Sequence, residues 1–363
     1  MSPAPIETVR AAAYKVPTER HESDGTLEWD AVTLVLVEVD GGGQTGLGYT
    51  YSDAGAAGLI EGTLADAVTG RDALAVPGCW WAMVHAIRNL GWPGICATAI
   101  AAVDVALWDL KAKLLDVCLA DLLGRVHEAV PVYGSGGLTS YSELELCEQL
   151  AGWVAQGIGS VKMKVGRDPD ADVGRAQAAR KAIGAQPELY VDANGAYSRK
   201  QALEQARQFR ELGVTWLEEP VSSNDLEGLR MIRDGGPAGM AIAAGEYGYE
   251  PAYFRRMLDA GAVDVLQADV TRCCGITGLQ MVGALCAASE VPFSAHCAPQ
   301  IHAHAAGSIG RLEHCEYFHT HARVEQLLFD GVLEPRHGCL RPDAGRPGLG
   351  IELKRADAED FRV

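Results

Sequence analysis

Residues 160–220 carry three apolar runs that each end in ionisable residues: SVKMKV at 160–165, LYVDAN at 189–194 and VTWLEEP at 214–220. Between the second and third lies RKQALEQARQFRELG, whose apolar residues recur at helical spacing and which stops at a glycine. Working outward, the same unit recurs as VPVYGS from Val130, AIAAGE from Ala241, VDVLQAD from Val263, VPFSAH from Val291 and HCEYF from His314. Successive runs begin roughly 20 to 30 residues apart. Strand and helix alternating at this spacing predict parallel βα units. Eight such units predict an α/β chain built on a TIM-type barrel, in which the ends of all the strands converge on one face. Lys162, Lys164, Asp192, Glu218, Glu246, Asp269, His296 and Glu316, scattered along the sequence, would then share one mouth.

The flanking sequence does not share this rhythm. In residues 1–125, strand-like IETVRAAAYKV and AVTLVLVEVD flank a polar loop, Gly-rich GGGQTGLGYTYS reads as a turn into a third strand, and ATAIAAVDVALWDLKAKLL reads as a buried helix. A separate α+β domain is expected there, with the barrel over 126–330. The tail, 331–363, is broken by Pro335, Pro342 and Pro347, and is expected to run back to the first domain.

A chain of 363 residues is long enough for a barrel of about 200 to 250 residues with a second domain. The hydrophobic fraction of 48% and a mean hydropathy near zero fit an ordinary globule. The formal net charge of -17 argues against nucleic acid or an anionic membrane as partner, since both attract a basic surface. An anionic small molecule is still allowed, because a divalent metal and a few lysines make one pocket locally positive. The first residues, MSPAPIETVRAAAYK, lack the basic and apolar segments of a secretory signal. Ten cysteines at irregular intervals suit reduced thiols, so the expected compartment is the cytoplasm.

Asp192, Glu218 and Glu246 are 26 and 28 residues apart, one βα unit each. Three carboxylates on neighbouring strand ends repel one another unless a cation holds them, and an all-oxygen set favours Mg2+ over zinc. Asn194 shares a strand face with Asp192 and could orient a ligand, whereas alternation turns Glu219 away from Glu218. Lys162 and Lys164 share a face of one strand, where each ammonium and a nearby metal are expected to make the other lose its proton more easily. His296 and Asp269 end adjacent runs. A carboxylate on one ring nitrogen would fix the tautomer and raise the basicity of the other. Glu316 could, if protonated, hydrogen-bond a substrate carboxylate, or it could cap a helix.

The segments SVKMKVG, VDANGAY, WLEEP, AAGE, LQAD, SAH and HCEYF, with AAVDVALWDLKAK in the first domain, resemble the mandelate racemase-like branch of the enolase superfamily over almost the whole chain. The resemblance implies a modified TIM barrel, (β/α)7β, with an α+β capping domain made by the amino-terminal region and the tail. It also implies Mg2+ on Asp192, Glu218 and Glu246, and Lys164 as one general base. Lys162 would lie beside the substrate carboxylate, the His296 and Asp269 dyad would act from the opposite face, and Glu316 would donate to a developing enediolate. A homo-oligomer acting on a small carboxylate is expected. The segment RCCGITG departs from the pattern through Cys273 and Cys274, which bears on substrate fit.

The resemblance places the loop Thr18–Trp29 over the pocket as a lid, where Arg20 and His21 would contact a polyhydroxy acid. An acid-sugar dehydratase forming a 2-keto-3-deoxy acid is the first expectation, and a racemase or epimerase the alternative. A late cluster, His296, His302, His304, His314, His319 and His321 with Cys297 and Cys315, offers a further alternative, a zinc-type hydrolase barrel. A non-enzymatic scaffold would have lost ligands or bases, and all are present.

Overall fold

In the computed structural model, which describes residues 4–363, the chain begins with an antiparallel sheet of β1 (Ile6–Ser23), β2 (Glu28–Gly41) and β3 (Gln44–Tyr51). The helix Ile95–Leu114 lies across this sheet and is buried along most of its length. Close approach explains the glycines of β3. A Cβ on Gly46 would meet the Ala106 carbonyl oxygen at 2.1 Å, and one on Gly48 would meet that of Ala102 at 2.3 Å. The Gly-rich segment is thus partly a packing surface, with its turn confined to Gly42 and Gly43 between the two strands.

The eight runs form eight parallel strands: β4 (Val130–Gly136), β5 (Ser160–Lys164), β6 (Glu188–Asp192), β7 (Val214–Glu218), β8 (Ala241–Ala244), β9 (Val265–Ala268), β10 (Phe293–Ala295) and β11 (Leu312–Phe318). They pair in sequence order, and β11 closes on β4. A helix follows each of β4 to β10, giving the (β/α)7β barrel, and His319–Leu328 then leads into the tail. Strands covered on both sides read as nearly continuous apolar runs, and β5 to β9 are buried almost throughout. Inside the barrel, Tyr133, Tyr190 and Trp216 pack with His314 as an aromatic floor, and the Lys162 ammonium lies 5.2 Å from the Tyr133 ring centroid.

The first domain docks through buried polar contacts. Asp104 accepts from the Thr277 amide and hydroxyl at 2.9 and 2.6 Å, supplying an N-cap to the helix Gly275–Ala288 from another domain. Trp108 donates to the same hydroxyl, and Tyr49 to Glu325. The tail adds a short strand, Cys339–Leu340, to β4, and its amides at Leu349 and Val363 bond to Asp109 and Ala13 of the first domain. No helix among the described residues is long and apolar enough to cross a membrane.

Replacing Gly48 by valine should lower the urea midpoint, because overpacking typically costs about 1–3 kcal/mol and here the obstacle is backbone. Gly62→Ala, where an added methyl meets nothing within 4 Å, should leave the midpoint unchanged or slightly higher.

Candidate active site

Register puts the ionisable residues in one layer. Lys164 pairs in register with Asp192, and Asp192 with Glu218, while Glu246 lies two residues beyond β8. Oxygens of Asp192, Glu218 and Glu246 lie within 4.8 Å of one another, and all three side chains are buried. Lys162, on the same strand face as Lys164, is fully buried, 3.5 Å from Asp192 and 2.8 Å from Glu316. Lys164 pairs with Asp192 at 2.5 Å.

On the other side of the three acids, one residue past their strands, stand Asp269 and His296. Asp269 Oδ2 lies 2.9 Å from His296 Nδ1. The opposite nitrogen, Nε2, lies 3.2 Å from Glu246 and 3.4 Å from Glu316. The barrel order therefore sets the lysines on β5 and the dyad beyond β9 and β10, with the acids of β6, β7 and β8 between. Glu316 on β11 accepts from the Ser135 hydroxyl at 2.6 Å.

The electrostatics differ from expectation at two points. Burial opposes the charge of both lysines, yet the surrounding carboxylates, Glu218 and Glu316 for Lys162 and Asp192 for Lys164, raise both above their ordinary values. The neighbouring ammonium is outweighed, so proton loss from Lys164 needs those acids neutralised. Burial likewise opposes charge on Glu316, but Lys162 and His296 hold it well below the usual carboxylate range. Glu316 thus stands ion-paired with Lys162 and accepts from Ser135, and it lies on β11, where it caps no helix.

Burial, with Asp192 beside it, pushes Glu218 up to about 8, and burial with Glu246 pushes Glu219 well above the usual carboxylate range. Against its own burial, Glu246 is held down by His296, Arg272 and Lys164, and Asp269 is held at about 2 by His296. His296 is raised by Cys297, Glu246, Glu316 and Asp269 despite burial.

Glu219, expected to turn away from Glu218, is placed differently, and Arg272 escaped the sequence reading. Glu219 sits past the end of β7 with φ of +37°, so strand alternation no longer applies and its carboxyl joins the acids. Arg272, in the segment noted for its cysteines, lies 3.1 Å from Glu246 and 3.7 Å from Asp269, with its guanidinium over the Tyr247 ring. Its position three residues after Asp269 was the available signal. Cys273 and Cys274 are buried on the side facing the first domain, where the Trp92 indole donates to the Cys274 sulfur at 3.1 Å.

Of the acids and bases, Lys164, Glu246, His296 and Glu316 line a cavity of about 440 Å³ between the domains. Asp24, Leu27, Trp29, Ser52 and Asp53 line it from above, and Asn194, Arg272 and Phe318 from the barrel. The Asn194 side-chain oxygen is buried and has no partner among the described residues. The segment Thr18–Trp29 is not an open loop. Here β1 runs to Ser23 and β2 starts at Glu28, joined by a turn in which Asp24 accepts from the amides of Thr26 and Leu27, each at 2.7 Å. Gly25 fits between the Ala193 and Val165 carbonyls, where a Cβ would meet them at 2.5 and 2.8 Å. The β1–β2 pairing is irregular between Pro17 and Glu22, and both Arg20 and His21 are exposed there. Arg20 pairs with Glu145 and His21 with Asp30, and neither lines the cavity.

The late histidines are dispersed. His302 accepts from the Val270 amide, His304 meets Cys118, His314 lies in the barrel floor, His319 pairs with Glu19, and His321 stacks on Tyr51. Of that cluster, His296 and Cys297 stay together, joined by Glu316.

The buried oxygen set fits a hard divalent cation such as Mg2+: three carboxylates converge, further buried acids adjoin them, and cavity space remains for water or substrate oxygen. Comparison with known proteins agrees with this chemistry. Residues 145–358 match the family described as "Enolase C-terminal domain-like", and residues 10–124 match "Mandelate racemase / muconate lactonizing enzyme, N-terminal domain". The 3,6-anhydro-alpha-L-galactonate cycloisomerase of Streptomyces coelicolor is 32% identical, over 96% of this chain and 97% of its own. A crystal structure of a mandelate racemase/muconate lactonizing enzyme-like protein from Rubrobacter xylanophilus superposes with a TM-score of 0.97 at 57% identity, covering 99% of both chains. The L-talarate/galactarate dehydratase of Salmonella typhimurium LT2, liganded with Mg and L-lyxarohydroxamate, gives a TM-score of 0.91 at 26% identity, covering 100% of this chain and 94% of that one. The chain belongs to the mandelate racemase / muconate lactonizing enzyme branch of the enolase superfamily.

Proposed function

We propose that the protein is a Mg2+-dependent acid-sugar dehydratase, which removes the proton α to a carboxylate and expels the hydroxyl from the next carbon to give a 2-keto-3-deoxy acid. The observation that carries this reading is the pair of proton-handling groups, Lys164 and the His296–Asp269 dyad, on opposite sides of the three acids at one cavity.

An α proton beside a carboxylate is weakly acidic, because its removal adds charge to a group already negative. Mg2+ held by Asp192, Glu218 and Glu246 would supply the Lewis acid that draws this charge off, and would lessen the hold of those acids on the Lys164 proton. Lys162 then supports the developing charge as a fixed ammonium. Lys164 takes the α proton from one face. His296, its ring oriented by Asp269, gives a proton to the departing oxygen on the other. Asn194, Arg272, Ser52 and Asp53 offer hydrogen bonds to a polyhydroxy chain, and a cavity of about 440 Å³ is within the range for a small ligand.

A second reading is favoured by the cycloisomerase relative, which matches nearly end to end. If the expelled oxygen is tied into a ring of the sugar, the same elimination opens the ring, no water is lost, and the product is an isomer. Reprotonation of the enediolate from the second face instead gives a racemase or epimerase.

Incubating the protein with a library of mono- and diacid sugars, their lactones and anhydro forms in D2O with Mg2+ should yield a keto acid detectable by NMR, and EDTA should abolish it. Isomer without water loss selects the second reading; absence of both product and α-proton exchange across the library overturns the acid-sugar assignment. On the substrate found, His296→Asn should lose elimination by about 100-fold or more, the lower range for a general acid, while Lys164-dependent α-proton exchange persists. Lys164→Ala should lose both. Loss of exchange in His296→Asn with retention in Lys164→Ala would reverse the assigned roles.

A further inference from the structure

Proton transfer by His296 leaves its neighbour Cys297 without a task, yet this sulfur is buried inside the site. It lies 3.4 Å from His296 Nε2 and 3.3 Å from Glu316 Oε2, and those two atoms are themselves 3.4 Å apart. A tetrahedral Zn2+ with bonds of about 2.0–2.1 Å to nitrogen and oxygen and about 2.3 Å to sulfur spaces its ligands roughly 3.3–3.6 Å apart. The three atoms already stand at the corners of one face of such a tetrahedron.

We propose that His296 Nε2, Cys297 Sγ and Glu316 Oε2 form a second cation site, selective for a thiophilic divalent ion such as Zn2+, that silences the enzyme by occupying the His296 lone pair. The remaining atoms of each ligand are already committed. Asp269 holds His296 Nδ1, the carboxylate–histidine arrangement that orients a metal-bound imidazole. Ser135 and Lys162 hold the other oxygen of Glu316, leaving Oε2 free to turn to the sulfur. Glu246 Oε2, 3.2 Å from the same His296 nitrogen, belongs to the oxygen set. Cys297 and the following Ala298 both adopt left-handed backbone, φ of +52° and +39°, a strained pair that turns the sulfur to these partners. All three residues line the cavity, so an ion can enter and its fourth position faces ligand space.

Donor type sorts the two cations: three carboxylates for hard Mg2+, and nitrogen, sulfur and oxygen for Zn2+. Binding releases two protons to solvent, one from the Cys297 thiol and one from His296 Nε2, and leaves a thiolate and a neutral imidazole on the metal. The site itself rests on geometry alone, and its inhibitory consequence rests on the role given to His296 above.

Cobalt titrated into Mg2+-saturated protein reads the site without any substrate. One Co2+ per chain should produce a thiolate-to-cobalt charge-transfer band, which Zn2+ bleaches. Cys297→Ser should abolish the band and weaken the ion's binding by more than the roughly 10- to 100-fold that loss of a supporting hydrogen bond costs a metal site. Glu316→Gln should keep the band at lower affinity, and Cys286→Ser, remote from the site, should leave both unchanged. Absence of the band in the wild-type protein, or its persistence in folded Cys297→Ser, overturns the proposal. A band with no loss of α-proton exchange or elimination on adding Zn2+ leaves the site standing and overturns the inhibition.

Discussion

The structure turns on an excess of buried negative charge. Asp192, Glu218, Glu219, Glu246, Asp269 and Glu316 are all essentially inaccessible and face four basic groups, Lys162, Lys164, Arg272 and His296, so that even with the imidazole charged the acids outnumber the cations by two. A buried unpaired carboxylate either takes up a proton or finds a cation. The upward shifts of Glu218 and Glu219 are the first response. A divalent ion is the second, and it matches the deficit in sign and size.

The two domains sustain that charge in different ways. Parallel strands, covered by helices outside and floored by aromatic rings inside, fix the acids and bases on rigid backbone at the barrel mouth. The first domain closes the mouth with a short turn wedged on the ends of β5 and β6 through Gly25, and with Trp29, whose indole donates to Glu22, itself bonded to Thr320. The burial of the acids and bases beneath it strengthens each electrostatic contact among them. The inter-domain cap from Asp104 and the tail's return over the helix Ile95–Leu114 hold the lid to the barrel independently of the site.

The barrel and the three acids were legible because strand-end positions recur with the βα period, so Asp192, Glu218 and Glu246 announce themselves by spacing. The paired lysines follow from alternation within β5. What was not legible depends on backbone outside that period. Glu219 joins the acids through a left-handed residue, Arg272 reaches back from a turn, and Arg20 and His21 lie on strand where a loop was expected. The charge state of Lys164 and Glu316 was also beyond the sequence, since it depends on how many carboxylates surround each group and not on its neighbours along the chain.

Mg2+-dependent thermal unfolding tests the charge balance most directly. The apo protein should gain stability with Mg2+, by about 2.7 kcal/mol when the ion is at 100 times its dissociation constant. Glu218→Gln, which removes one carboxylate from this crowded set, should make the metal-free protein as stable as wild type or more so and cut the response to Mg2+. A wild-type protein indifferent to Mg2+, or a Glu218→Gln protein that responds as fully as wild type, would contradict a divalent site at these acids.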